Sequence, residues 1–262
     1  MTLKTLAATL ALASIAGCMT PLQVNDAARA QLAPTGNLRA GMNLSNTLFT
    51  LKDPGSGELR GVSVDVMREL GKRLNVPVEI VVFPRPGDVA DAAGAGTWDV
   101  TLLAIEQSRA KTISFSPPLT EIEGAYLVHK DSPLRSVAQV DAPGIRISAP
   151  NKAGYELYLT RTLQKATLVR TKDNQSSYDV FKQRGAEAVA GLKPALLDAM
   201  PQLPDARMLD GKFMTVSHGL GTPQGRTAGS ECLKAFVADL NASGFVARSI
   251  ERHGIKGLSA VK

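Results

Sequence analysis

Residues 97–119 read TWDVTLLAIEQSRAKTISFSPPL. The apolar run from Val100 to Ile105 is long enough for a buried strand, and it breaks abruptly into Glu106, Gln107, Ser108 and Arg109. A second run then closes on Phe115-Ser116-Pro117-Pro118. An acid, an amide, a hydroxyl and a guanidinium at one strand end either cap the turn that follows or present those groups to another molecule.

Outward from this stretch, strand-like and helix-like runs alternate. LRAGMNL (38–44) predicts a strand, and GVSVDVMRELGKRL (61–74) predicts an amphipathic helix with Val62, Val66, Leu70 and Leu74 four apart. Between them LKDPGSGELRG reads as a turn centred on Pro54-Gly55. VPVEIVVF (76–83) is a second strand, DVADAAGAG (88–96) a short helix, and WDVTLLAI (98–105) a third strand. The pattern repeats as strand 145–150, helix 154–164, strand 167–171, helix 176–185 and strand 187–192. Alternation of this kind predicts an α/β protein of two similar, largely parallel lobes.

The extended GAYLVHK (124–130) leads out of the first half, and FMTVSHGLGTP (213–223) leads back, before helices at 228–242 and 244–253. Two crossover segments follow, with lobe 1 expected at 37–130 plus 214–262 and lobe 2 at 131–213. In such sheets ligands bind at the carboxyl ends of the strands and between lobes.

The 262 residues are 44% apolar, ample for a packed core. The formal charge is +6, but the 30 basic residues form no run of four or more, and one Trp and four Tyr offer little for base stacking. Nucleic acid is therefore not an expected partner. His129, His218 and His253 are scattered, with no spacing for zinc or for a Ser/His/Asp arrangement, so neither metal nor cofactor is expected. Cys232 lies in SECLKAFVADL among Leu233, Phe236, Val237 and Leu240 at helical spacing, which predicts a buried helix residue.

Residues 1–18 form a separate unit with one charge at Lys4, an apolar run from Thr5 to Ile15, and Ala16-Gly17-Cys18. The run is too short to span a bilayer and reads as an export signal, followed by an N-terminal linker at 19–36. Ile15-Ala16-Gly17-Cys18 resembles a bacterial lipobox, in which Cys18 becomes the lipidated N-terminal residue. Cleavage by the ordinary signal peptidase at a nearby small residue is the rival reading, and a chance Cys is a third. A periplasmic or cell-surface location follows, with membrane contact only through the lipid.

LRAGM at the first strand, LRGVSVDVMRELGKRLNVPVEIV (59–81), GTWDVTLLAIEQSRAKTISFSPPL (96–119), IRISAPNKAGYELYL (145–159) and RGAEAVAGL (184–192) stand in a distinctive order. In that order they resemble the bacterial extracellular solute-binding proteins of family 3, the receptors of amino-acid-type ABC transporters, over roughly Leu38 to Gly254. The resemblance implies a two-lobed periplasmic-binding-protein fold of type II. It also implies a monomer that captures a small polar solute between its lobes and delivers it to an ABC permease, without covalent chemistry. In that family an Arg after the third strand pairs with the ligand's carboxylate, and Arg109 takes that place here.

The chain departs from the family at Glu106, at Leu192 and in the lobe-2 loop SAPNKAG, which replaces the family's small Gly-Thr-Thr type turn. The family's Thr three residues before the Arg is Glu106, which either pairs with Arg109 or accepts a cationic group. The lobe-2 acid that holds an amino acid's ammonium would fall at Leu192, and no acid stands at 188–193. A buried ammonium there lacks its partner at a cost of several kcal/mol, so an ordinary α-amino acid is not the expected ligand.

The remaining ligand-binding candidates are Gln107, Phe49 as the stacking ring, and Asn151 and Lys152 in the loop before the helix at Gly154, whose dipole favours an anion. Each has a structural reading as well: Phe49 as a core residue, Asn151 as an N-cap, Lys152 as a solvated side chain. Tyr155, Tyr158 and Trp98 read as packing residues. A periplasmic cyclohexadienyl-dehydratase-like enzyme, with Glu106 as general acid, and a sensing module for a membrane partner are the alternative functions.

Overall fold

A computed structural model describes residues 24–261. The export signal and Cys18 lie outside the described residues. The chain opens with α1 (Asp26–Leu32), capped by Asn25, whose side chain accepts from the Ala28 N–H at 2.7 Å. Then come β1 (Leu38–Asn43), β2 (Leu51–Lys52), β3 (Leu59–Arg60), α2 (Val62–Leu74), β4 (Val78–Phe83), α3 (Pro86–Asp91) and β5 (Val100–Ala104). After the long β6 (Ile113–His129) the second half runs β7 (Arg146–Pro150), α4 (Gly154–Thr162), β8 (Thr167–Thr171), α5 (Asn174–Lys182), β9 (Ala188–Leu192), α6 (Lys193–Ala199) and β10 (Ala206–Met208). The chain returns through β11 (Met214–Pro223) to α7 (Thr227–Ser243), α8 (Phe245–Arg252) and β12 (Ser259–Ala260).

Strand order is β4-β1-β5-β11-β6-β9-β7-β8. β4, β1 and β5 are parallel and form the first lobe; β9, β7 and β8 are parallel and form the second. The antiparallel pair β6 and β11 joins them, β11 meeting β5 at 218–221 and β6 meeting β9 at 124–128. At about 3.3 Å per residue, the 17 residues of β6 span some 55 Å, enough to run through both lobes. This is the two-lobed α/β fold with two crossovers expected from the sequence.

The local reasons are visible in the residues. The apolar stripe of α2 is fully buried, and the helix stops where Asn75 adopts a left-handed conformation at φ 54°. All five residues of β5 are buried, as a strand covered on both faces requires. Pro117 and Pro118 cannot donate to a ladder, and there the β6–β11 register shifts on either side of Gly219. Asp99, fully buried just before β5, receives Nε and Nη2 of Arg39 and Nη1 of Arg226, each at 2.8 Å. This triad pins β1, β5 and the start of α7 together.

Three elements differ from the sequence reading. Residues 19–36 contain a docked helix rather than a linker throughout, because Ala28 and Leu32 of α1 bury themselves against α7. The Pro54-Gly55 turn is the tip of a small hairpin, β2 with β3, closed by Asp53 accepting from Gly55 and Ser56 N–H groups at 3.0 and 2.8 Å. Helix α6 follows β9 without a loop, with Pro194 in its first turn, where the missing N–H costs nothing. Cys232 is buried in α7, and Trp98 is fully buried with its indole N–H on the Val89 carbonyl at 2.9 Å. No described helix is long and apolar enough to cross a membrane.

Candidate functional site

Between the lobes lies a cavity of about 100 Å³, at the carboxyl ends of β1 and β5 on one side and of β7, β8 and β9 on the other. The first lobe contributes Asn43 and the segment 45–49, Arg85, and Arg109 after β5; the second contributes Asn151, Gly154, Tyr155, Asp173, Asn174 and Leu192. β11 contributes Val216 and His218 from the crossover itself.

Arg109 sits on a single helical turn that begins where β5 ends. Its side chain is 4% exposed, with Nη1 on the Ala104 carbonyl at 3.0 Å and Nη2 reaching across the cleft to the Lys152 carbonyl at 2.9 Å. Nε has no partner among the described residues. Burial pushes this guanidinium down to about 10, partly offset by the charges of Glu106 and Asp91. A buried cation with an unused N–H favours an anion in the cavity.

His218 lies beside the register shift of β11, 5% exposed, with its ring centroid 4.5 Å from that of Phe49. Burial first, and then the charge of Arg109, holds its imidazole down at about 3, so the ring is neutral at ordinary pH. Tyr155 donates to the Asn174 side chain at 3.2 Å, and burial holds the Tyr155 and Tyr178 hydroxyls protonated, the latter pushed up to about 12. Asp173 caps α5: its Oδ1 accepts from the hydroxyl and backbone N–H of Ser176 at 2.7 and 2.8 Å, which keeps the carboxyl below its ordinary value.

The sequence candidates separate in this geometry. Arg109, Phe49, Asn151 and Leu192 line the cavity. Glu106 does not line it: the carboxylate, buried in the first lobe, pairs with Arg161 of α4 rather than with Arg109. Gln107 is exposed and outside the cavity. Lys152 turns its ammonium away to Asp91 at 2.5 Å, while its backbone N–H is taken by Glu156 at 3.0 Å. Asn151 does not cap α4; the N-cap is Ala153, and the Asn151 N–H bonds the Thr171 carbonyl at 2.9 Å.

Several lining residues carry little sequence signal. Asp173 is absent from the sequence reading, although an Asp three residues before a Ser at a strand-to-helix junction is an N-cap pattern at a strand's carboxyl end that points to it. His218 and Tyr155 carry no such signal, because their inward direction depends on the β6–β11 register and on how α4 meets the cleft.

A cavity between two α/β lobes joined by two crossover strands is the arrangement of a two-lobed solute-binding protein. The chain belongs to the bacterial extracellular solute-binding proteins, family 3, whose model matches residues 38–255. It is 21% identical over 209 residues to the ABC transporter glutamine-binding protein GlnH of Bacillus subtilis, covering 78% of this chain and 76% of that one. Among solved structures it resembles the solute receptor for L-cysteine of Neisseria gonorrhoeae, with a TM-score of 0.74 at 17% identity over 89% of this chain and 99% of that one. It also resembles an ancestral amino-acid-binding protein that is a precursor of cyclohexadienyl dehydratase, with a TM-score of 0.69 at 20% identity over 86% and 97%. At these identities the two solved structures establish the shared fold.

Proposed function

We propose that this protein is an extracytoplasmic receptor that captures a small anionic solute, such as a carboxylate without a charged amine, and delivers it to an ABC importer. The observation that carries the reading is the buried cation Arg109 in the cavity on one lobe; Leu192, an aliphatic lining residue on the other, stands where the family resemblance implies an acid for an ammonium. The N-terminus of α4, Gly154 and Tyr155, lines the same cavity and adds its dipole to the attraction for an anion. Phe49 and His218 supply an aromatic wall. Family membership and the transporter named for the Bacillus relative support delivery to a permease.

A second reading is an amino-acid ligand with its ammonium on Asp173, which lines the cavity and is ionised, though Oδ1 already takes two hydrogen bonds. Binding rather than dehydratase chemistry is favoured because Glu106, the acid on which the dehydratase reading relied, is held by Arg161 outside the cavity. A sensing role on a membrane partner would use the same capture step. The export, the anchoring through Cys18, the monomeric state and the lobe division at 37–130 plus 214–262 and 131–213 form part of this proposal.

The test is a thermal-shift screen of small mono- and dicarboxylates, amino acids and polyamines. A true ligand at a hundred times its Kd stabilises by about 2.7 kcal/mol. Carboxylates lacking an amine are expected to shift the wild type and not Arg109→Gln. Response to α-amino acids alone, abolished in Asp173→Asn, would establish the second reading instead.

A further inference from the structure

The two lobes are tied across the cleft by three bridges, of which those of Glu106 and Lys152 lie outside the cavity lining and that of Arg109 starts from within it. Glu106, at the end of β5, is 4% exposed at its side chain and pairs with Arg161 on α4 of the second lobe, whose side chain is 37% exposed. Arg161 is steadied by its own helix, donating from Nη1 to the Leu157 carbonyl at 3.0 Å. Beside this pair, Lys152 reaches Asp91 at the end of α3, and Arg109 donates to the Lys152 carbonyl. All three bridges join the first lobe to α4 or to the turn that precedes it.

The surfaces meet closely enough for such bridges because glycine stands at the contact. A Cβ on Gly154 would lie 2.8 Å from the Ala104 Cβ, and one on Gly87 would lie 2.7 Å from the Lys152 Cβ. Neither gap admits a methyl group without the lobes moving apart.

From this geometry we infer that Glu106 and Arg161 are positioning residues for solute capture, an ion pair that draws the lobes shut around the cavity without contacting the solute. A receptor's apparent affinity is its intrinsic affinity scaled by the fraction of molecules in the binding-competent closed form. A bridge that exists only when the lobes are closed raises that fraction. Because Arg161 is partly exposed, the pair is weakened by salt. The inference rests on the two-lobed fold and not on the identity of the solute, so a failed solute screen leaves it standing.

The experiment is small-angle X-ray scattering of the protein stripped of bound small molecules by unfolding and refolding, at low salt and at about 1 M NaCl, where the Debye length is near 3 Å. The wild type is expected to be compact at low salt and to expand as salt rises. Arg161→Ala is expected to be expanded at both, and the charge exchange Glu106→Arg with Arg161→Glu to recover compaction. Gly154→Ala, which props the contact open without changing a charge, is expected to expand the protein and to remove its salt response. A wild-type profile indifferent to salt, or an Arg161→Ala profile superimposing on wild type, overturns the inference. The wild-type salt series requires no variant and decides the question even where a variant fails to fold.

Discussion

His218 makes stability depend on pH in a defined direction. Its imidazole is buried against Phe49 and near Arg109, and its folded value of about 3 lies well below the ordinary 6.5. In the unfolded chain the ring takes up a proton as pH falls through 6.5, while in the folded protein it stays neutral down to about 3. Stability is therefore fully present above 6.5 and is lost progressively as pH falls through that window. At about 1.4 kcal/mol per pH unit, lowering pH from 7 to 5 should cost roughly 2 kcal/mol through this residue, or about 4–8 °C in Tm. Calorimetry of wild type and His218→Phe at pH 7 and 5 isolates the effect, since His129 and His253 remain in both proteins. The variant should lose about 2 kcal/mol less than wild type over that interval. Equal losses in the two proteins would refute a buried neutral imidazole and, with it, the crowding of His218 by Arg109.

Three further outcomes follow from the buried contacts. Asp99→Ala should destabilise by about 3–5 kcal/mol in urea unfolding, since Arg39 and Arg226 lose their shared carboxylate. Burial works against the Asp99 charge, but hydrogen bonds from both arginines hold its carboxyl below the ordinary value. Its contribution is thus present above about pH 3.9 and fades as pH falls further. Trp98→Ala, which empties the pocket among Val89, Ala93, Leu103 and Ile113, should cost about 3–5 kcal/mol in the same assay. Glu156→Gln should loosen the 151–153 loop, because this buried carboxylate receives the Lys152 N–H, Thr160 and Arg170 at 3.0, 2.7 and 2.8 Å. Faster amide exchange at Lys152 measures that loosening, and an unchanged rate would count against it.

Much of the fold was legible because hydrophobic periodicity is a local property. The strand at 100–104, the four-residue stripe of α2 and the repeated strand–helix alternation needed no partner to be read. Helix α1 was missed because seven residues with only Ala28 and Leu32 buried carry little periodic signal, and its helix is held by docking on α7. In sequence the hairpin at 51–60 reads only as a turn, because its two-residue strands are too short to alternate.

The candidate site divides in the same way. Arg109 and Leu192 come from the family resemblance, and both line the cavity, Arg109 just after β5 and Leu192 at the end of β9. Lys152 and Glu106 were not placed correctly, because a long charged side chain goes to whichever opposite charge the tertiary structure brings near. Asp91 lies 61 residues from Lys152, and Arg161 lies 55 from Glu106.

The sequence by itself determined the α/β class, the two lobes and the two crossovers, all of which rest on local pattern. Only the tertiary structure decided which charges meet across the cleft, that Glu106 pairs with Arg161 instead of facing the cavity, and that His218 enters the cavity wall. Those outcomes depend on strand register and on the approach of one lobe to the other at Gly87 and Gly154, distances that no stretch of sequence encodes alone.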